Sequence, residues 1–107
     1  MSRKKERLGE QIKEIIASFV VENAPTDLGV VSITRVELSK DGSKAKVYFT
    51  VLPEGNAERV KDFLEENKRV LLSKIKKLKV KTIPSLEFEE DREIKIMEKL
   101  WEEHGEV

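Results

Sequence analysis

Two β-prone runs, Val30 to Leu38 and Ala45 to Leu52, are joined by Ser39-Lys40-Asp41-Gly42-Ser43. An Asp-Gly pair suits a tight reversal with positive φ, so the two runs read as an antiparallel hairpin. Within them Val31, Ile33 and Arg35 alternate with Ser32, Thr34 and Val36, and Ala45, Val47 and Phe49 alternate with Lys46, Tyr48 and Thr50. A lone hairpin is marginal in water, so one of its faces must be covered. The flanking segments have to supply that cover.

They do so at helical period. Leu8, Ile12, Ile15, Ile16 and Phe19 recur at steps of three and four, which predicts an amphipathic helix over roughly residues 3 to 22. Asn23-Ala24-Pro25-Thr26-Asp27 then turns the chain, and a loop carries it to about Gly29. Beyond the hairpin, Asn56 is placed to cap a second helix with Ala57, Val60, Phe63 and Leu64, running to about Glu66. Leu71, Ile75 and Leu78 mark a third helix. A bend between the two is expected near Asn67, because asparagine tolerates the left-handed conformation.

Ile83 to Phe88 alternates as a third strand, with Pro84 at its beginning where a missing amide donor is tolerable. Asp91 is placed to cap a last helix carrying Ile94, Met97 and Trp101, and the polar tail after Glu102 is expected to fray. The order helix, strand, strand, helix, helix, strand, with an added C-terminal helix, predicts an α+β architecture. A three-stranded sheet covered by helices on one face results. At 107 residues, residues 1–107 are expected to form one domain.

Covalent chemistry has few places to sit. There is no cysteine, the only histidine is His104 near the end, and the five glycines form no phosphate-binding loop. The best carboxylate cluster is Glu87, Glu89, Glu90 and Asp91, of which Glu87 and Glu89 share one face of the third strand. Such a pair can hold a metal or serve a hydrolase. The simpler reading turns Leu86 and Phe88 to the core and the glutamates to water, and begins the last helix at Asp91. No catalytic residue, metal ligand or cofactor is assigned, and an enzyme is not expected.

No stretch approaches the roughly 20 apolar residues that span a bilayer. The basic start Met1-Ser2-Arg3-Lys4-Lys5 is not followed by the apolar region of a signal peptide, so a cytoplasmic protein without membrane contact is expected, and a monomer is expected alongside it.

Net charge is formally zero, yet the charges are segregated. Residues 1 to 84 hold 18 Lys or Arg against 12 Asp or Glu, a net of +6, and residues 85 to 107 hold 3 against 9, a net of −6. Lys68, Arg69, Lys74, Lys76, Lys77, Lys79 and Lys81 form a run with no acid from residue 67 to 86. Like charges so placed repel one another, and phosphate is the commonest partner for such a stripe. Since Phe19, Phe49, Phe63, Phe88 and Trp101 have core spacing and only Tyr48 is placed for exposure, recognition through backbone and shape is expected over base stacking.

Several segments carry a resemblance in their order and spacing: Arg7 with the first helix, Asp27-Leu28-Gly29, Val36-Glu37-Leu38-Ser39-Lys40-Asp41, and Ala45-Lys46-Val47-Tyr48. It continues in Leu78-Lys79-Val80-Lys81-Thr82-Ile83-Pro84 and Leu86-Glu87-Phe88, ending at Asp91. The chain thereby resembles the ribosome-binding factor A family. That resemblance implies a type II KH-like fold and a noncatalytic role in maturing the small (30S) ribosomal subunit, including processing of its 16S rRNA. It also implies RNA contact by the first helix, the interhelical bend and the basic stretch after it. Those roles map onto Arg3, Lys4, Lys5, Arg7, Lys68, Arg69, Lys76, Lys77, Lys79 and Lys81. The family usually bends at a small-residue step containing glycine, where this chain has Glu66-Asn67-Lys68. The rival reading is a protein-interaction module in which the acidic segment from Glu87 to Glu106 recruits a basic partner and the lysines only solubilise.

Overall fold

The computed structural model describes the backbone of residues 2–92 and the side chains of residues 7–92. The first helix, α1 (Ser2–Asn23), leads through a short 3-10 turn at Thr26–Leu28 into the hairpin strands β1 (Val30–Leu38) and β2 (Lys44–Leu52). A second 3-10 turn at Glu54–Asn56 opens onto α2 (Ala57–Glu66) and α3 (Lys68–Lys76), and β3 (Ser85–Glu90) closes the sheet. The expected helix with Ile94, Met97 and Trp101, and the fraying tail after Glu102, lie outside the described residues.

The sheet runs β1-β2-β3, with β1 antiparallel and β3 parallel to the central strand. Period-two alternation decides what it buries. Ala45, Val47, Phe49 and Val51 of β2 and Leu86 and Phe88 of β3 meet Ile12, Ile16, Phe19 and Val20 of α1 in one core. Val60 and Leu64 of α2 and Leu71 and Ile75 of α3 complete it, so all three helices lie on one sheet face. Each large apolar side chain so buried stabilises the fold by about 1.5–3 kcal/mol. Among the described residues no helix covers the opposite face.

The alternation expected for β1 breaks at one point. The register shifts between Ile33 and Arg35, leaving Thr34 as a bulge, so Ile33 opposes Phe49 while Arg35 opposes Tyr48 and Val36 opposes Val47. An inserted residue flips every later side chain to the other face. Arg35 therefore leaves the face of Ile33 for the open one, and Val36 turns to the core.

Two turns rest on glycine. Gly42 has φ 75° in the hairpin reversal, where the Asp41 carboxylate accepts from the Ser39 hydroxyl and from the Ser43 amide and hydroxyl. Those donors lower the Asp41 pKa to about 2. Gly29 has φ 93°, and a Cβ there would stand 2.0 Å from the Leu52 carbonyl oxygen. Around it, Asn56 does not cap α2 through its side chain as expected. Its amide donates instead to the carbonyls of Asp27 and Leu28, and Arg59 bonds the Asp27 carboxylate at 2.6 Å. The hydrogen bond and charge of Arg59 hold the Asp27 carboxyl below its ordinary value. Asp27-Leu28-Gly29 is thus a clamp between the α1–β1 loop and the start of α2.

The bend between α2 and α3 falls at Asn67, as expected, but not in the left-handed conformation. Its φ and ψ are −103° and 12°. The Asn67 side-chain amide donates to the Phe63 carbonyl at 2.8 Å, an acceptor it shares with the Asn67 backbone amide. Among the described residues the left-handed non-glycine residue is Lys79, with φ 57°. The third helix ends at Lys76, short of Leu78, which still packs half-buried against the core. The third strand starts at Ser85, two residues later than expected, directly after the buried Pro84.

Candidate nucleic-acid interface

Leu71 and Ile75 turn inward and Leu72 packs half-buried beside them, so the outward side of α3 carries its basic residues together with Val70 and Ser73. Arg69, Lys74, Lys76, Lys77, Lys79 and Lys81 are exposed, and among the described residues none makes an ion pair. Lys68 departs from the expected unneutralised run. Its ammonium lies 2.9 Å from Glu65 and 5.8 Å over the Phe88 ring, at the edge of the core. A cation held this way is partly used within the fold.

The helix gives its lysines two sides. Arg69 and Lys76, seven residues apart, share one stripe. Lys74 and Lys77 instead line a groove against α1 with Gln11, Glu14, Ile15, Ser18, Phe19, Glu22 and Leu78, enclosing about 480 Å³. At the helix end the amides of Lys77, Leu78 and Lys79 donate three residues back, to Lys74, Ile75 and Lys76, and the chain then reverses through Lys79. On α1, Arg7 is exposed, but the side chains of Arg3, Lys4 and Lys5 lie outside the described residues.

The open sheet face is built differently. Arg35 sits 4.0 Å above the Tyr48 ring and 3.0 Å from Glu37, the Tyr48 hydroxyl donates to Glu37, and Lys46 lies 3.8 Å from Glu89. Burial, then the Glu37 charge, raises the Tyr48 pKa above its ordinary value. Tyr48 is thus stacked by its own neighbour. The last helix that Asp91 is expected to cap lies outside the described residues, but Asp91 has a further role within the sheet: it is only 3% exposed and accepts from the Thr34 hydroxyl at 2.6 Å, with the Arg35 Nε at 3.6 Å. Its amide donates to the Phe49 carbonyl at 2.7 Å, so Asp91 ties the end of β3 across the central strand to the β1 bulge. Spacing could not reveal this tie, which depends on the extra residue at Thr34.

Leu86 and Phe88 are buried and Glu87 and Glu89 face outward, as expected. Among the described residues no three metal-ligating side chains converge, and no helix is long and apolar enough to cross a membrane.

The order α-β-β-α-α-β of the described residues, with β3 parallel to the centre of a three-stranded sheet and the three described helices on one face, is the type II KH-like architecture. Here it carries a cationic ridge at the end of its third helix. The family model described as ribosome-binding factor A matches residues 4–103, and the chain belongs to the ribosome-binding factor A family. A curated relative of that name from Macrococcus caseolyticus is 37% identical over 98 residues, covering 88% of this chain and 85% of its own. Among solved structures, a putative ribosome-binding factor A from Thermotoga maritima aligns with TM-score 0.69 at 28% identity, covering 85% of this chain and 90% of that one. A homology model of the Thermus thermophilus factor, as fitted into an electron cryo-microscopy map of its complex with the 30S subunit, aligns with TM-score 0.67 at 27% identity. It covers 81% of this chain and 94% of that one.

Proposed function

We propose that this chain, acting as a single-domain monomer in the cytoplasm, docks on the immature small ribosomal subunit and assists its maturation and 16S rRNA processing by binding alone. The observation that carries the reading is the set Arg69, Lys76, Lys79 and Lys81 on α3 and the turn after it, exposed and without acidic partners among the described residues. Family membership supplies the partner, since the Thermus relative is seen with the 30S subunit. Lysine and arginine at a phosphate backbone position a protein without reading sequence, which suits recognition of folded rRNA by shape. A binder of this kind biases RNA conformation by its differential affinity for the two states, and needs no nucleophile or general base.

The test is sedimentation of the purified protein with purified small subunits across a salt series. Each phosphate neutralised contributes about 0.7 to 0.9 to the fall of log affinity with log salt. Cosedimentation at low salt with steep release at higher salt is expected. Failure to cosediment in dilute buffer, or binding indifferent to salt, contradicts the reading.

A further inference from the structure

The seven cations between Lys68 and Lys81 look equivalent along the chain but are not equivalent in space. Lys68 is engaged with Glu65. Lys74 and Lys77 share a groove with Glu14 and Glu22, floored by Ile15, Phe19 and Leu78. A polyanion seated there would meet two carboxylates along with two ammonium groups, and the gain from one pair is offset by repulsion from the other. Arg69 and Lys76 stand on the other stripe of the helix, and neither lines that groove.

Lys79 carries a second, independent signal. It is exposed and adopts φ 57°, a conformation with a steric cost for any residue with a Cβ and none for glycine. Its amide still closes the helix end on the Lys76 carbonyl, a bond that glycine would make as well. The fold therefore does not require lysine at the left-handed position. Strained residues of this kind cluster where a side chain is used. Cations near a helix C-terminus are also favoured by its free carbonyls, but that favours Lys74 and Lys76 alike and cannot divide them.

We propose that the phosphate-contacting track is Arg69, Lys76, Lys79 and Lys81, turning on the left-handed Lys79, and that Lys74 and Lys77 belong to a charge-balanced α1–α3 groove that RNA does not enter. This rests on the reading of the chain as a small-subunit binder. It narrows the site, removing Lys68 and Lys77 from the direct contacts.

Three variants test it by the salt dependence of binding to purified small subunits, each with a thermal melt. Arg69→Gln with Lys76→Gln is expected to shrink the slope by roughly 1.5, the share of two phosphates. Lys79→Gly is expected to shrink it by about 0.8 while melting at or above the parent temperature, because the strain is relieved as the charge is removed. Lys74→Gln with Lys77→Gln is expected to leave the slope unchanged.

A groove pair that lowers the slope as much as the track pair overturns the division, as does Lys79→Gly with parental binding. If the unaltered protein itself fails to bind, the parent reading falls first and the division with it.

Discussion

The outer side of α3 and the open face of the sheet both display cations, yet they are at opposite ends of a physical scale. On the sheet, Arg35 is stacked on Tyr48 and paired with Glu37, and Lys46 faces Glu89. On α3 and the turn beyond it, Arg69, Lys76, Lys79 and Lys81 have no acidic partner among the described residues. A cation already paired must surrender that partner before it can hold a phosphate, whereas an unpaired one gives up only water and counterions. Counting charges cannot separate these surfaces; pairing does.

The largest effect should come from the frame that both surfaces share. Gly29→Ala sets a Cβ against the Leu52 carbonyl and keeps a left-handed backbone, so it should destabilise the fold by about 3 kcal/mol in urea unfolding and abolish both surfaces together. A midpoint within error of the parent would show that the clamp of Asp27-Leu28-Gly29 is looser than described.

Asp91→Ala sharpens the contrast by striking one side. It removes the acceptor of the Thr34 hydroxyl and the carboxylate beside Arg35, and should cost about 2 kcal/mol. The protein that remains folded should bind small subunits with its salt slope intact. A changed slope would mean that the sheet face takes part in binding.

Smallest is a pH effect at the hairpin tip, remote from the ridge. The Asp41 pKa is depressed from 3.8 to about 2 by the Ser39 and Ser43 donors. A lowered folded pKa gives stability that is present above the unfolded value and lost as pH falls through about 2. The stability difference between the parent and Asp41→Asn should therefore narrow as unfolding is measured from pH 5 down to pH 2. A constant difference would mean that the carboxylate's charge does not matter to the turn.

Much of this frame is legible in the sequence. Periods of two and of three to four place the strands and helices within a residue or two, because burial on one face enforces them. What stays hidden depends on a single residue or on contacts far along the chain. The bulge at Thr34 shifts the face of Arg35 by one insertion, and the Thr34 hydroxyl bond to Asp91 gives no sign in the spacing. The basic run is equally plain in the sequence, but its division is not. Glu65, which pairs with Lys68, and Glu22, which lines the groove of Lys74 and Lys77, both lie outside the run. Lys79 gives no local sign either, since nothing in Leu78-Lys79-Val80 favours a positive φ.

The most direct measurement is lysine reactivity toward an acylating reagent, read residue by residue with and without purified small subunits. The account predicts protection of Lys76, Lys79 and Lys81 when subunits are added, with no change at Lys46. Protection of Lys46 with the other three left reactive would contradict it.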